Sequence, residues 1–229
     1  MVIAIIGAMA IEIEYFLHEI GYKEKIVKNG YSFWLSEYAN KQIIIASSGV
    51  GKVATAILST TLVNLFPKLD LIINIGVAGG VKGKTKIGDV VTFAKYAYYD
   101  ADATHFPQYV HGQIPGYPAY FEGNSEFLNI CKEFTGQIQI GMVLTGDLFF
   151  TDQEVIEAAI AKHFPLDNVI SLDMESTAFA QSFYHLGFPF ASLRVISDII
   201  GGIDDEYEKN LAICSEKACQ YLLAILKKM

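Results

Sequence analysis

Short apolar runs of strand length alternate along this chain with stretches of helical period, and that alternation predicts an α/β protein. Val2–Ile6 reads as a buried strand, followed by a turn and a helix reaching about Ile20. Tyr31–Tyr38 and Gln42–Ser47 read as strands, the second bracketed by Asn40-Lys41 and Ser48-Gly49. Lys52–Phe66 has helical spacing and stops at Pro67, which cannot continue a helix. Leu71–Ile75 reads as a fully apolar strand entering a glycine turn at Gly76–Gly80, and Asp89–Phe93 continues the sheet. From about Tyr96 to Gly123 the period is lost among Tyr, Pro, Gly and His. An irregular segment of that length inside a compact domain is usually functional or an interface element. Beyond it come a strand at Ile138–Leu144, a helix at Asp152–Lys162, a short strand at Val169–Leu172 and a helix at Ser176–Leu186. A strand at Phe190–Ser197 and a helix at Asp204–Lys228 close the chain. The expected architecture is three-layered, with a central mixed, mostly parallel β-sheet flanked by helices. No repeat, low-complexity tract or linker divides it, so a single domain over residues 1–229 is expected.

Composition narrows the class. The chain is 52% hydrophobic with a mean hydropathy of +0.32, yet no apolar run has the length to span a bilayer. That excess implies a large core or an apolar subunit interface. A net charge of −8 argues against a nucleic-acid partner, which needs a basic stripe. Cys131, Cys214 and Cys219 form neither a metal spacing nor an even disulfide framework, as expected of idle thiols in a reducing cytoplasm. The amino terminus imitates a signal peptide as far as Ala8-Met9-Ala10, but it lacks a positive start, and Glu12 and Glu14 follow at once. A cytoplasmic protein with no membrane contact is expected.

Arg194 is the only arginine in the sequence, and it lies inside the apolar run Phe190–Ser197 that leads to Asp198. Where lysine is the default cation, a lone buried guanidinium suggests fixed fork geometry and permanent charge. Strand alternation would put Arg194, Ile196 and Asp198 on one face. On this fragment alone an internal Arg–Asp pair and an active-site group are equal readings.

Four segments follow one plan, an apolar strand running into a polar or glycine-rich turn: Gly7–Glu12, Gly76–Gly80, Leu172–Glu175 and Ile196–Asp198. In open α/β sheets the carboxyl ends of strands form the crevice that binds ligands, so Glu12, Glu175, Asp198 and Arg194 are expected to meet there. Taken singly, Glu12 and Glu175 could serve the dipole of a helix N-terminus and Asp198 could cap a turn. Ser48-Gly-Val-Gly-Lys52 lacks the spacing of a phosphate loop, and Gly76-x-x-Gly79-Gly80 is no dinucleotide fingerprint. Asp100, Asp102 and His105 are metal-capable, but no further ligand stands at a recognisable spacing. Neither a metal nor another cofactor is expected.

Together these segments resemble the nucleoside phosphorylase/nucleosidase superfamily, and more closely the 5′-methylthioadenosine/S-adenosylhomocysteine nucleosidases. The residues that carry the resemblance run nearly end to end. They are Ile6-Gly7-Ala8-Met9 with Glu12, Ser48–Ala54, Ile73-Asn74-x-Gly76-x-Ala78-Gly79-Gly80, Asp100-Ala-Asp102-x-Thr104-x-Phe106, Gly112–Gly116, Gly146-Asp-x-Phe149, Met174-Glu175 and Arg194-x-Ile-Ser-Asp198. The resemblance implies hydrolysis of the N-glycosidic bond of 5′-substituted adenosines to adenine, through an oxocarbenium-like state that needs an acid for the leaving group and a base for water.

It further implies that Asp198 protonates purine N7, which requires a neutral carboxyl favoured by burial, and that the Phe150 backbone reads the adenine edge. Glu12 would activate water. Glu175, helped by the Met174 backbone, would hold the ribose hydroxyls, and Arg194 would orient Glu12, Glu175 or the water. Met9, Val50 and Tyr207 would enclose the 5′-substituent, with Gly79 and Phe149 also in the substrate site. Phe106 and the Pro115 region would reach a partner's pocket in a homodimer.

Two residues depart from the family pattern: Val77 stands where a hydroxyl residue is usual, and Asp173 where glutamate commonly precedes Met-Glu. Three rival functions remain open on the residues alone. A purine nucleoside phosphorylase would bind a phosphate dianion, usually with several arginines, which this chain does not have. An aminofutalosine hydrolase of menaquinone synthesis would share the catalytic set and differ in the 5′ pocket. A non-catalytic nucleoside binder would typically lack Glu12 or Asp198.

Overall fold

A computed structural model describes residues 1–149, 152–165, 167–202 and 206–229. The strands are β1 (Val2–Gly7), β2 (Glu24–Lys28), β3 (Tyr31–Tyr38), β4 (Lys41–Ser47), β5 (Leu71–Gly80), β6 (Val90–Tyr98), β7 (Phe121–Glu122), β8 (Ile138–Thr145), β9 (Val169–Asp173) and β10 (Phe190–Ile199). The helices are α1 (Ile11–Ile20), α2 (Lys52–Leu65), α3 (Ser125–Lys132), α4 (Gln153–His163), α5 (Ser176–Leu186) and α6 (Glu206–Lys228). The strands form one mixed sheet in the order β10-β6-β8-β9-β5-β1-β4-β3-β2, with β7 on β6. β4, β1, β5 and β10 run parallel, and β10 also pairs antiparallel with β6. Because β5 pairs with both β9 and β10, the strands β5, β10, β6, β8 and β9 close into a ring.

The apolar run in β1 is continuous because both faces of the sheet are covered. Ile3 and Ile5 point to a core formed with Phe16 of α1, Phe127 of α3 and Leu222 and Ile225 of α6. Ala4 and Ile6 point to the opposite core, formed with Leu58 and Leu62 of α2 and Phe179 and Phe183 of α5. Each such Ile, Leu or Phe contributes about 1.5–3 kcal/mol on full burial.

The structure departs from the pattern-based expectation at several places, each with a local cause. The glycines of Gly76–Gly80 form no turn, since β5 runs straight through them. They are small because other groups cross the strand there: a Cβ on Gly76 would lie 2.6 Å from Arg194 Nη1, and one on Gly80 would lie 2.5 Å from Thr85 Oγ1. Nor is Leu71–Ile75 fully apolar, because it carries the buried Asn74. β6 extends to Tyr98, into the stretch expected to be irregular, and pairs with β8 throughout. β2 went unanticipated because it is a mostly exposed edge strand, Glu-Lys-Ile-Val-Lys, whose charges guard the open edge. α3 is short, and its start is signalled by Asn124, whose side chain accepts from the Phe127 N–H. In β10 the register of Arg194 and Ile196 is unbroken, as alternation expects, but a bulge between Ile196 and Asp198 breaks it there, so Asp198 does not follow them on the same face by simple alternation. Ile196 packs in the core with Phe179.

Candidate active site

The carboxyl ends of β1, β5, β9 and β10 surround a cleft with about 630 Å³ of empty space, a figure that includes its open mouth. Glu12, Asp173, Glu175, Arg194 and Asp198 all line it, with Met9, Val50, Val77, Gly79, Phe149, Met174 and Tyr207. The four charged residues singled out from sequence are therefore brought together.

Glu12 sits in the first turn of α1 and folds back over the turn that leaves β1. Its Oε2 accepts from the Ala8 and Met9 N–H groups at 2.7 and 2.9 Å. Its Oε1 accepts from the Val77 N–H at 3.0 Å and lies 3.6 Å from Arg194 Nη1. This carboxylate crosses β5 over the bare Cα of Gly76. Burial raises its pKa, while Arg194 and the three N–H groups pull the other way.

Arg194 is 1% exposed. Nη1 donates to Val77 O at 3.2 Å, and Nη2 donates to Asn74 Oδ1 at 2.5 Å and to Glu175 Oε2 and Ser176 Oγ at 3.4 Å. Nη2 also lies 3.2 Å from Asp173 Oδ2. Burial works against the guanidinium charge, but Asp173, Glu12 and Glu175 outweigh it and hold the pKa above its ordinary value. Asn74 is itself anchored, donating from Nδ2 to Ile6 O at 2.9 Å.

Glu175 occupies the cap position of α5 without capping it. Its Oε1 accepts from the Gly51 N–H at the start of α2 at 3.0 Å. Burial pushes its pKa up to about 7, opposed by Arg194 and assisted by Asp173. Asp198 follows the β10 bulge at 9% exposure, and its Oδ1 accepts from Ser197 Oγ at 2.7 Å. A Cβ on Gly79 would press on Ile200 Cγ1 at 3.2 Å and would touch Asp198 Oδ2 at 3.5 Å.

The other wall is apolar. Tyr207 stands edge-on to Phe149 at 5.4 Å, and its hydroxyl donates to Met9 Sδ at 3.6 Å. Val50 is half-exposed beside them. Phe106 is 53% exposed and is not among the residues lining the cleft of its own chain. Phe150 lies outside the described residues. In the 99–120 stretch two of the metal-capable side chains are engaged elsewhere: Asp100 pairs with Lys52 at 2.7 Å, and Asp102 accepts from the Thr104 N–H and hydroxyl.

The main-chain donors at the strand ends already hold carboxylates of the protein. Glu12 takes the Ala8, Met9 and Val77 amides, Glu175 takes Gly51, and Asp147 takes the Lys52 N–H at 3.0 Å. A glycine-rich turn before a helix is otherwise a ready anion site. Here that capacity is consumed internally.

The sequence profile of the Phosphorylase superfamily matches residues 2–227. A 5′-methylthioadenosine/S-adenosylhomocysteine nucleosidase from an Exiguobacterium species is 34% identical over 238 residues, covering 100% of this chain and 99% of that one. The chain belongs to this nucleosidase family of the phosphorylase superfamily. Its fold agrees. The nucleosidase from Streptococcus pneumoniae with the transition-state inhibitor MT-ImmA superposes with a TM-score of 0.91 at 32% identity, covering 99% of both chains. The nucleosidase from Neisseria meningitidis with methylthio-immucillin-A gives 0.90 at 31% identity, over 100% of this chain and 99% of that one.

Sequence reasoning assigned no role to Asn74, Thr145 or Ser176, and weighed Asp173 only as a departure. Asn74 carried the same signal as Arg194, a lone polar residue in an apolar strand. Thr145 and Ser176 carried none, because the partners of their hydroxyls are 16 or more residues away on other strands and helices.

Proposed function

We propose that this chain, acting as one nucleosidase domain, hydrolyses the N-glycosidic bond of 5′-methylthioadenosine, S-adenosylhomocysteine and similar 5′-substituted adenosines, releasing adenine. The observation that carries this reading is the convergence of Glu12, Glu175, Asp198 and Arg194 on one cleft with an apolar wall. In this reading Asp198 protonates the purine as it leaves. Glu12, whose basicity is raised by burial, takes a proton from the attacking water. Glu175 accepts the ribose hydroxyls with the Met174 backbone alongside, and its charge stabilises the oxocarbenium-like state. Arg194 orients the two glutamates. Met9, Val50, Phe149 and Tyr207 surround the base and the 5′-substituent.

Water is favoured over phosphate as nucleophile for two reasons. Arg194 is committed to protein acceptors, and the turn amides are occupied by carboxylates. The carboxylates of Glu12, Asp173 and Glu175 in the same cleft would in addition repel a dianion. The test is adenine release in phosphate-free buffer by wild type and by Asp198→Asn. Full activity without phosphate and a loss of about 10²–10⁴-fold in the variant are expected. Strict phosphate dependence, or equal release by the two proteins, refutes the reading.

The active form in this reading is a homodimer in which Phe106 completes the partner's pocket. Supporting it, Val53 and Ile57 of α2 are at least half-exposed and line a groove between α2 and α5, and Phe106, Val110 and Tyr184 are further apolar side chains at least half-exposed. Three free, buried cysteines fit a reducing cytoplasm, and no described helix is long and apolar enough to cross a membrane.

A further inference from the structure

Asp173 does more than start a helix. Its Oδ1 accepts from Thr145 Oγ1 at 2.7 Å, from the Ser176 N–H at 3.1 Å and from the Glu175 N–H at 3.3 Å. One oxygen therefore caps α5, and serine or asparagine supplies such a cap equally well. The other oxygen, Oδ2, is buried, has no hydrogen-bond partner, and lies 3.2 Å from Arg194 Nη2. A buried charge in that state is costly unless it acts on its neighbour.

The neighbour is shared. Arg194 Nη2 also lies 3.4 Å from Glu175 Oε2, so without a competitor the guanidinium would close onto Glu175 as a two-pronged pair. We propose that Asp173 is a positioning residue for the hydrolytic reaction described above: its Oδ2 draws Arg194 Nη2 towards β9, so that Nη1 stays on Val77 O beside Glu12, and Glu175 Oε2, held by Nη2 only at 3.4 Å, keeps acceptor capacity for the ribose hydroxyls. The proposal rests on that reading of the site. The titratable and charged groups that surround Asp173 are Arg194 of β10, Glu175 at the start of α5, Tyr96 of β6 and Tyr99, with Glu12 of α1, Asp198 of β10 and Tyr207 of α6 across the same cleft. Among them, the Asp173 charge raises the pKa of Glu175, and Arg194 lowers it.

The experiment compares Asp173→Asn and Asp173→Glu with wild type for kcat, KM, the pH profile of adenine release, and Tm. Asn keeps the capping oxygen but removes the charge and turns an N–H donor towards Arg194. Its kcat is expected to fall at least about tenfold, with a smaller change in KM, and its acid limb to move about one pH unit lower as Glu175 loses a negative neighbour. Asp173→Glu, which keeps the charge, is expected to restore the limb. An unmoved acid limb, or a kcat within about twofold of wild type, whatever happens to Tm, overturns the proposal and leaves Asp173 a helix cap. A moved limb that Glu does not restore also overturns it. If the Asn variant does not fold, Asp173→Ser retains a cap oxygen without charge and is held to the same outcomes. Absence of adenine release by the wild type overturns the hydrolytic reading and this proposal together, whereas a normal wild type with an unmoved limb in the variants overturns this proposal alone.

Discussion

Replacing Arg194 by lysine keeps the charge and removes only the fork, which isolates what the geometry contributes. The guanidinium reaches in two directions at once: Nη1 to Val77 O on β5 and the neighbourhood of Glu12, Nη2 to Asn74 Oδ1, Glu175 and Asp173. A lysine ammonium is one point and serves one of these directions. Either Val77 O or Asn74 Oδ1 then loses its donor in a fully buried place, at about 1–3 kcal/mol, and the lost charged hydrogen bond is of similar size. The two overlap, so a net loss of about 2–4 kcal/mol is expected. At about 2–4 °C per kcal/mol for a chain of this length, Tm falls by roughly 5–15 °C.

Activity suffers separately. Releasing either glutamate from its place by about 1 Å costs on the order of 10² in rate. Thermal unfolding of the ligand-free protein and initial rates of adenine release at saturating nucleoside measure the two effects. A lysine variant within about 2 °C of the wild-type Tm and about twofold of its kcat would falsify the argument, because the fork would then be dispensable.

Gly76→Ala places a methyl 2.5 Å from Glu12 Cδ and 2.6 Å from Arg194 Nη1, so the Glu12 carboxylate must leave the Val77 N–H. Steady-state kinetics are expected to show a fall of about 100-fold in kcat, and wild-type turnover in this variant would mean that Glu12 is not needed where it stands. Glu175 titrates near 7 in the folded chain against a reference value of 4.5. A raised folded pKa means that the stabilisation is complete below about pH 4.5 and is lost as pH rises through about 7, on the order of 3 kcal/mol in all. The Tm of the ligand-free protein is therefore expected to decline across that window and to flatten there in Glu175→Gln; parallel pH curves for the two proteins would contradict the shift. Ile57 is 51% exposed on α2; in the homodimer proposed above it would be covered, so Ile57→Glu is expected to give a monomer in sedimentation velocity and a lower kcat/KM as the proposed Phe106 contact is withdrawn. An unchanged sedimentation coefficient would place the subunit contact elsewhere.

Much of the fold was legible along the chain because its strands are continuous apolar runs and its helices have clear stops. Val2–Ile6, Tyr31–Tyr38 and Ser176–Leu186 are found as read, to within a residue. β2 escaped because an exposed edge strand made of charges has no apolar pattern to show, and Gly76–Gly80 was read as a turn because glycine in a strand looks like a break. The bulge in β10 had no signature in Arg-Val-Ile-Ser-Asp either.

By itself the sequence determined the class of fold, the strand ends that carry polar residues, and the identity of the four charged groups Glu12, Glu175, Arg194 and Asp198. These depend on local period and on residue type, which are properties of neighbouring positions. Only the tertiary structure decided which acids share the one arginine. Asn74, Thr145 and Ser176 meet Asp173, Glu175 and Arg194 because β5, β10, β6, β8 and β9 close into a ring, bringing residues up to 120 positions apart within hydrogen-bond reach. The division of Arg194 between Glu12, Asp173 and Glu175 is set by distances of 3.2–3.6 Å across that ring. Charge interactions in a buried site change steeply over such distances, and sequence spacing carries no record of them.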